Sequence, residues 1–295
     1  MAIKNRDWKD QLFTCVNGLL LTFMTLIFLY PLWHVLMASL SDPSKLLIHT
    51  GLLLKPEGFS LEGYKMVFKR TDIWIGYGNT LFYVVVGTFI NVVLTSMGAY
   101  VLSRKNLKIR KVLNILIVLT MYLSGGLIPN FLVVRYLGMY NSRWALIIPG
   151  AIGTWNLLVM RTGFKQVPDE LEESAMLDGA NDFIILFKIL LPVARATIVV
   201  IAMFCAVGHW NAWFDACIYL RDRNKFPLAI FLREILLQNA SVANDIDVNE
   251  IGGAYRLDEL IKYGTIIITS GPILCVYPFA QKYFVKGVMM GSLKG

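Results

Sequence analysis

The stretch DELEESAMLDGANDFIILFKILLP, Asp169–Pro192, gathers six of the chain's 20 acidic residues between Asp169 and Asp182, with long apolar runs on both sides. Pro168 before it suits the first turn of a helix, where a missing N–H leaves nothing unpaired. Asp169, Glu170, Glu172 and Glu173 crowd the turns that follow, where the helix dipole favours acids. Leu171, Ala175 and Met176 mark an apolar side. Gly179 stands where a helix stops. Asn181 or Asp182 can cap a second helix, whose apolar face is Phe183, Phe187 and Leu190, and Pro192 leads out of it. Residues 168–192 therefore predict helix, tight glycine turn, helix. The small residues Ser174, Ala175 and Ala180 beside Gly179 leave room for another backbone. Two readings stand on these residues: an amphipathic hairpin lying on a membrane surface, or a docking surface for a partner. The acids favour docking, because an anionic inner leaflet attracts Lys and Arg.

The rest of the chain supplies the membrane. Its 295 residues are 56% hydrophobic and 16% charged, with a mean hydropathy of +0.59. A soluble domain carries about 25% charged residues, so a chain this long and apolar reads as a multi-pass membrane protein. The net charge of +8 does not point to nucleic acid, because Lys and Arg lie between apolar spans rather than along one amphipathic face. Cys15, Cys205, Cys217 and Cys275 form no CxxC pair and sit in or near apolar segments, as small hydrophobes do. The basic N-terminus is followed by an apolar run too long for a signal-peptide core, which reads as a retained first helix.

Six segments are long enough for a bilayer core, which takes roughly 20 residues of helix. They are Leu12–Leu40 with a bend expected at Pro31, Asn79–Leu102, Val112–Val134 interrupted by SGGLIPN, Trp144–Met160, Val193–Leu220, and Tyr263–Phe284 with Pro272 and Pro278 inside. The breaks need neighbouring helices to satisfy freed backbone groups, so they should face protein. The loop Ser103–Lys111 has five basic residues in nine. It is the strongest cytoplasmic signal in the chain, and it places both termini and the acidic hairpin inside, with Ser41–Gly78 and Arg221–Lys262 outside. Those outer loops carry five and six basic residues, diluted over longer stretches.

Catalytic signatures are missing. There is no phosphate-binding G-x-x-x-x-G-K-[ST], no H-E-x-x-H and no G-x-S-x-G. His34, His49 and His209 lack metal-ligand spacing, so no metal site is expected. The span centres hold no Asp, Glu, Lys or Arg; Arg195 and Asp215 lie near the ends of the fifth. An intramembrane charge is expensive and is usually kept for function, and a proton-coupled transporter would keep one near the midplane. If this chain moves a solute uphill, the energy comes from another subunit.

Glu173-Ser174-Ala175, then three residues, Gly179, nine residues, Ile189, one residue and Leu191-Pro192 is similar to the EAA loop of binding-protein-dependent ABC importers, E-A-A-x3-G-x9-I-x-L-P. Only Ser174 departs from it, small for small. YNSRWALIIPG before the fourth span, GHWNAWFDACIYL in the fifth and the ending QKYFVKGVMMGSLKG resemble maltose-type sugar permeases, the MalG-like member of the pair, and the tail resembles the polysaccharide and oligosaccharide branch. The resemblance implies an all-α integral membrane fold, the MetI-like type I importer permease, with six transmembrane helices and a cytoplasmic coupling hairpin. It implies the bacterial inner membrane, a second permease chain of distinct sequence, two copies of a cytoplasmic ATPase and an external sugar-binding protein. ATP and Mg would sit on the ATPase, and this chain would bind no cofactor. The coupling residues would be Glu172, Glu173, Ser174, Ala175, Asp178, Gly179, Ala180, Ile189, Leu191 and Pro192. Leu293, Lys294 and Gly295 would reach toward the ATPase, and the outer loop, with an amphipathic stretch at Pro227–Gln238, would meet the binding protein. The competing classes are a transporter or channel that works without ATP, which ATP dependence separates, and a membrane enzyme, which the missing motifs disfavour.

Sugar sites pair aromatic faces with polar side chains, and three groups of residues fit that description. Trp210, Asn211, Trp213 and Asp215 lie in the outer half of the fifth span; there the tryptophans can equally belong to an interfacial aromatic belt, with Asp215 reaching outward. Trp155 and Asn156 form a similar pair that helix packing also explains. Tyr122, Ser124 and Asn130 flank the broken third span, where backbone can line a cavity. His34 and His209 read as packing residues.

Overall fold

The computed structural model describes residues 8–46, 48–105, 107–245, 261–276, 278 and 281. Twelve helices carry the described chain: α1 Trp8–Ser39, α2 Glu62–Lys69, α3 Thr71–Ser103, α4 Arg110–Tyr122, α5 Leu127–Tyr136, α6 Thr154–Phe164, α7 Asp169–Leu177, α8 Asp182–Val193, α9 Arg195–Trp210, α10 Phe214–Tyr219, α11 Leu228–Asp245 and α12 Ile261–Val276. Single turns of helix lie between some of them. The β-structure among the described residues is one isolated bridge, Ser41 with Phe59.

Length decides which elements can cross a bilayer. At 1.5 Å per residue, α1 and α3 each reach roughly 50 Å, more than the 30 Å hydrocarbon core, and both are apolar. α1 runs through Pro31 as one helix. α3 begins at Thr71 rather than Asn79 and absorbs a π-helical turn at Tyr83–Gly87. α4 and α5 are apolar enough together but meet at 113°, at the SGGLIPN break. α8 and α9 likewise qualify as a pair and meet at 89°. The expected fifth span continues past a break at 211–213 into α10. α12 covers the described part of the expected sixth.

The fourth segment departs from expectation. It is not a helix from 144 to 160. A 3-10 turn at Arg143–Leu146 leads into irregular backbone, and α6 is only 11 residues long, roughly 16 Å, about half the hydrocarbon core. Irregular backbone at membrane depth needs internal partners. Asn91, buried on α3, supplies them: its Nδ2 donates to the carbonyls of Gly150 and Ala151 at 2.8 and 2.9 Å. Its Oδ1 then meets His209 Nε2 at 2.8 Å. With both amide hydrogens on carbonyls, the oxygen must accept, so Nε2 carries the proton.

The described chain forms two compact units, residues 70–234 with 269–295, and residues 1–69 with 235–268. Two apolar clusters are described in the larger. One joins α3, α6, the α7–α8 hairpin and α9 through Ala99, Leu157, Met160, Phe164, Ile185, Leu186, Leu190 and Ile201. The other gathers Tyr83, Val134, Ile147, Ala216, Tyr219 and Ile230. The smaller unit packs Met37 and Ala38 of α1 on Leu53, and Ser39 Oγ meets the Tyr64 hydroxyl at 2.7 Å.

Gly87 makes the α3–α9 contact possible. A Cβ there would lie 2.4 Å from His209 Nε2. Gly87→Ala is therefore expected to destabilise the protein by about 1–3 kcal/mol, the usual range for overpacking, and His209→Ala in the same chain should recover part of that. Thermal melting of the four purified variants of the cycle tests it; a Gly87→Ala protein that melts like wild type would contradict the packing.

Candidate functional site

The acidic stretch folds as its residues predict, with refinements. Pro168 is the residue before the first helical position, at φ −57° and ψ 135°, where its ring fixes the approach to α7. Gly179 has φ +81°. The N–H of Gly179 donates to the Met176 carbonyl at 3.0 Å and that of Ala180 to the Ala175 carbonyl at 2.9 Å, the two bonds of a Schellman stop, which needs a left-handed residue between them. Asn181 is the cap of α8, its side chain accepting from the Ile184 N–H at 2.9 Å.

The buried faces differ from the expected ones. On α7 only Ala175 is buried, while Leu171 and Met176 are exposed and Leu177, beside the turn, is 90% exposed. On α8 the buried residues are Ile185, Leu186 and Leu190, with Ile189 and Leu191 partly buried beside them; Phe183 and Phe187 are exposed. FIILFKILL is apolar around nearly its whole circumference, so periodicity cannot choose a side. The π-helical run Ile185–Leu190 also shifts the register from the ordinary helical one. The tip thus presents Met176, Leu177 and Phe183 outward. Around Gly179 nothing lies within 4 Å of where a Cβ would be. Ser174 is exposed, and Pro192 lies in the last turn of α8, just before the bend into α9.

The six acids divide into two groups. Arg104, the residue at which α3 ends, forms an ion pair with Glu172 of α7 and reaches Asp182 Oδ1 on α8 at 3.1 Å. The Tyr100 hydroxyl donates to the same Asp182 oxygen at 2.8 Å, and the Arg104 guanidinium lies 4.1 Å from the Tyr100 ring centre. Lys105 pairs with Asp169. One basic loop therefore holds both arms of the hairpin. Burial first, then the carboxylates of Asp182 and Glu173, push the Glu172 carboxyl up; the adjoining guanidinium is the counter-charge that favours its ionised form. Glu170, Glu173 and Asp178 form no ion pair among the described residues. Acids expected as one docking group thus leave three for a partner. A cavity of about 500 Å³ opens between the loop and the hairpin, lined by Arg104, Lys105, Arg110, Lys165, Asp169, Glu172 and Glu173 among others.

The residues weighed for a solute pathway are dispersed. Trp210 Nε1 donates to the Thr269 carbonyl at 3.1 Å, so its polar edge serves packing. Asn211 ends α9, its Nδ2 donating to the Val207 carbonyl at 2.9 Å. Asn156 Nδ2 points at Cys205 Sγ at 3.4 Å. Trp213 lies under the Arg233 guanidinium, 4.5 Å from its ring centre, and Asp215 is exposed in the first turn of α10. Tyr122, Asn130 and Trp155 are exposed. Leu293, Lys294 and Gly295 lie outside the described residues. Sequence reasoning did not single out Asn91 or Arg104 as structural hubs. Arg104 was visible only as one of five basic residues setting orientation.

Residues 91–214 match the family described as "Binding-protein-dependent transport system inner membrane component". The chain is 40% identical to the polygalacturonan/rhamnogalacturonan transport system permease protein YtcP of Bacillus subtilis, over 97% of this chain and all of that one. It is 26% identical to the arabinooligosaccharides transport system permease protein AraQ of Halalkalibacterium halodurans, over 92% of this chain and 94% of that one. Its fold matches a chain in the crystal structure of a bacterial ABC transporter involved in the import of the acidic polysaccharide alginate. The TM-score is 0.85 with 31% identity, covering 95% of this chain and 99% of that chain.

Proposed function

Since the chain belongs to the family of inner membrane components of binding-protein-dependent transport systems, a multi-pass transport component rather than an enzyme, we propose that it forms half of the pathway of an ATP-driven importer of oligosaccharides or polysaccharides. The other half is a second, distinct permease chain. Two copies of a cytoplasmic ATPase bind below and an external binding protein delivers the sugar. ATP and Mg belong to the ATPase, and both termini lie inside the cell, as the five basic residues of 103–111 indicate. Support for the sugar comes from relatives named for polygalacturonan, rhamnogalacturonan and arabinooligosaccharides and from the alginate importer.

The observation that carries the coupling role is the hairpin tip. Leu177 is almost wholly exposed, beside a glycine turn with open space around it and between Glu173 and Asp178, which form no ion pair among the described residues. With Met176 and Phe183, also exposed, it makes an apolar patch at the tip, and such patches mark interaction sites. Behind the tip, α8 runs through the bend at Ala194 directly into α9, while Arg104 fastens both arms to the end of α3. A push on the hairpin therefore moves α3 and α9 with it, which is what coupling to an ATPase requires.

Expression with the genomic neighbours, purification through this chain in detergent, and identification of what accompanies it tests the reading. An ATPase should co-purify with wild type, and Leu177→Asp, which puts a charge where an apolar contact belongs, should lose it while the chain still inserts. Solute uptake by this chain without ATP would favour the transporter that works without ATP, and an ATPase held equally by the variant would remove the docking role from the hairpin tip.

A further inference from the structure

The cavity beside the hairpin carries more positive charge than its acids balance. Arg104 and Lys105 are engaged by Glu172, Asp182 and Asp169. Arg110, at the start of α4, donates to the Arg104 backbone carbonyl at 3.2 Å and pairs with no carboxylate among the described residues. Lys165, just past α6, lines the same cavity and also lacks a carboxylate. Arg161, one turn earlier on α6, has a buried Nε with no hydrogen-bond partner. The three lie close enough to act on one another: Arg110 opposes the charge on Arg161, and both oppose that on Lys165, each adding to the effect of burial. Glu173, which lines the same cavity, is one acid unpaired among the described residues against these three cations, so the positive charge left over calls for an anion.

What surrounds the cations selects its source. Arg110 opens α4, an apolar helix with no fully buried residue. Ile109, Leu116 and Val112 near it are exposed, while Leu113 and Ile117 pack inward. The cations therefore sit where an exposed apolar helix face begins, next to a polar cavity. A free phosphate uses only the cations, whereas a phospholipid uses both surfaces, its phosphate on the cations and its chains along α4. We propose that Arg110, Arg161 and Lys165 bind the phosphate of an anionic phospholipid at the base of the coupling hairpin. Because the site adjoins Arg104 and Lys105, the lipid sits against the loop that clamps the hairpin.

The test uses the whole transporter, purified in detergent from membranes containing phosphatidylglycerol and phosphatidylcholine, with retained lipid measured by mass spectrometry. Wild type should keep phosphatidylglycerol in preference to phosphatidylcholine. Each charge removed should reduce that preference about fivefold, in Lys165→Gln alone and further in Arg110→Gln/Arg161→Gln/Lys165→Gln. Lys165 is exposed, so its replacement leaves the core untouched and gives an answer even if the triple variant does not fold. Added short-chain phosphatidylglycerol should raise Tm of the wild-type complex, with no equal rise from inorganic phosphate. Equal retention by wild type and Lys165→Gln would overturn the proposal. So would a rise in Tm from inorganic phosphate as large as that from the lipid, which would mark an ion site. The ATPase co-purification assay is read separately, so loss of the lipid and loss of the ATPase are distinguishable.

Discussion

Gly179→Asp is expected to abolish sugar uptake while the chain still inserts and melts close to wild type. The left-handed backbone at Gly179, φ +81°, costs an L-residue about 1–2 kcal/mol, and Asp is among the residues that tolerate it best. Against a typical total stability of about 5–15 kcal/mol, that strain cannot unfold the protein. Among the described residues the new Cβ has open space, since no atom beyond the adjoining residues lies within 4 Å of its position. Any large effect must therefore come from what docks there. A carboxylate beside Asp178 would add bulk and negative charge to the tip at the point where the proposed partner docks. Gly179→Ala isolates the strain and should retain most uptake; Gly179→Asp adds the obstruction. Uptake of labelled oligosaccharide, set beside membrane insertion and Tm for both variants, decides the matter. Wild-type uptake by Gly179→Asp would sink the coupling role.

The hairpin was legible because its determinants are local. Pro168, the acids of the first turns, Gly179 and Asn181 each act within a few residues, through capping and backbone preference, and the structure puts the turn and the caps where those preferences place them. The segment over 144–160 was legible only in part. Its apolar residues suit a span, but Pro149-Gly150 and Gly153 break a helix; what the sequence does not show is the partner of the irregular backbone, Asn91, whose amide reaches Gly150 across 59 positions of sequence. The same is true of the site. Acids at 169–182 and bases at 103–111 can each be counted in the sequence, but Arg104 meets Asp182 across 78 positions, and no spacing rule connects them. The buried side of α8 failed for a different reason: a helix apolar all round carries no stripe to read. The family resemblance proposes the coupling residues as one group and treats the acids alike; only the packing separates Glu172, held by Arg104, from Glu173 and Asp178, which form no ion pair among the described residues.

That separation leads to the second large effect. Arg104→Ala should uncouple the transporter: ATP hydrolysis by the complex should persist while uptake falls at least about tenfold. The guanidinium pairs with carboxylates on both arms of the hairpin, and its side chain and that of Glu172 are only 19% and 22% exposed. An exposed ion pair contributes about 0–1 kcal/mol, and breaking a fully buried one costs about 3–5 kcal/mol. This pair lies between, so a loss of about 1–3 kcal/mol is expected. The loss should depend on pH. Without Arg104, Glu172 keeps only the influences that raise its pKa, namely burial and the Asp182 and Glu173 carboxylates. A carboxyl raised in the folded state binds more protons there than in the unfolded state, so stability falls as pH rises above the ordinary glutamate range. Tm of Arg104→Ala should therefore drop between mildly acid and neutral pH more steeply than that of wild type. Glu172→Gln in the same chain should flatten the profile and restore part of Tm without restoring uptake, because the neutral amide removes the stranded charge but does not refasten the hairpin to α3. Arg104→Lys should recover less than the full effect, since one ammonium cannot bridge two carboxylates in the planar geometry that a guanidinium offers. Unchanged uptake in Arg104→Ala would mean that the hairpin moves α3 through the apolar core of Ala175, Ile185 and Leu190 alone, and that the clamp contributes only to stability.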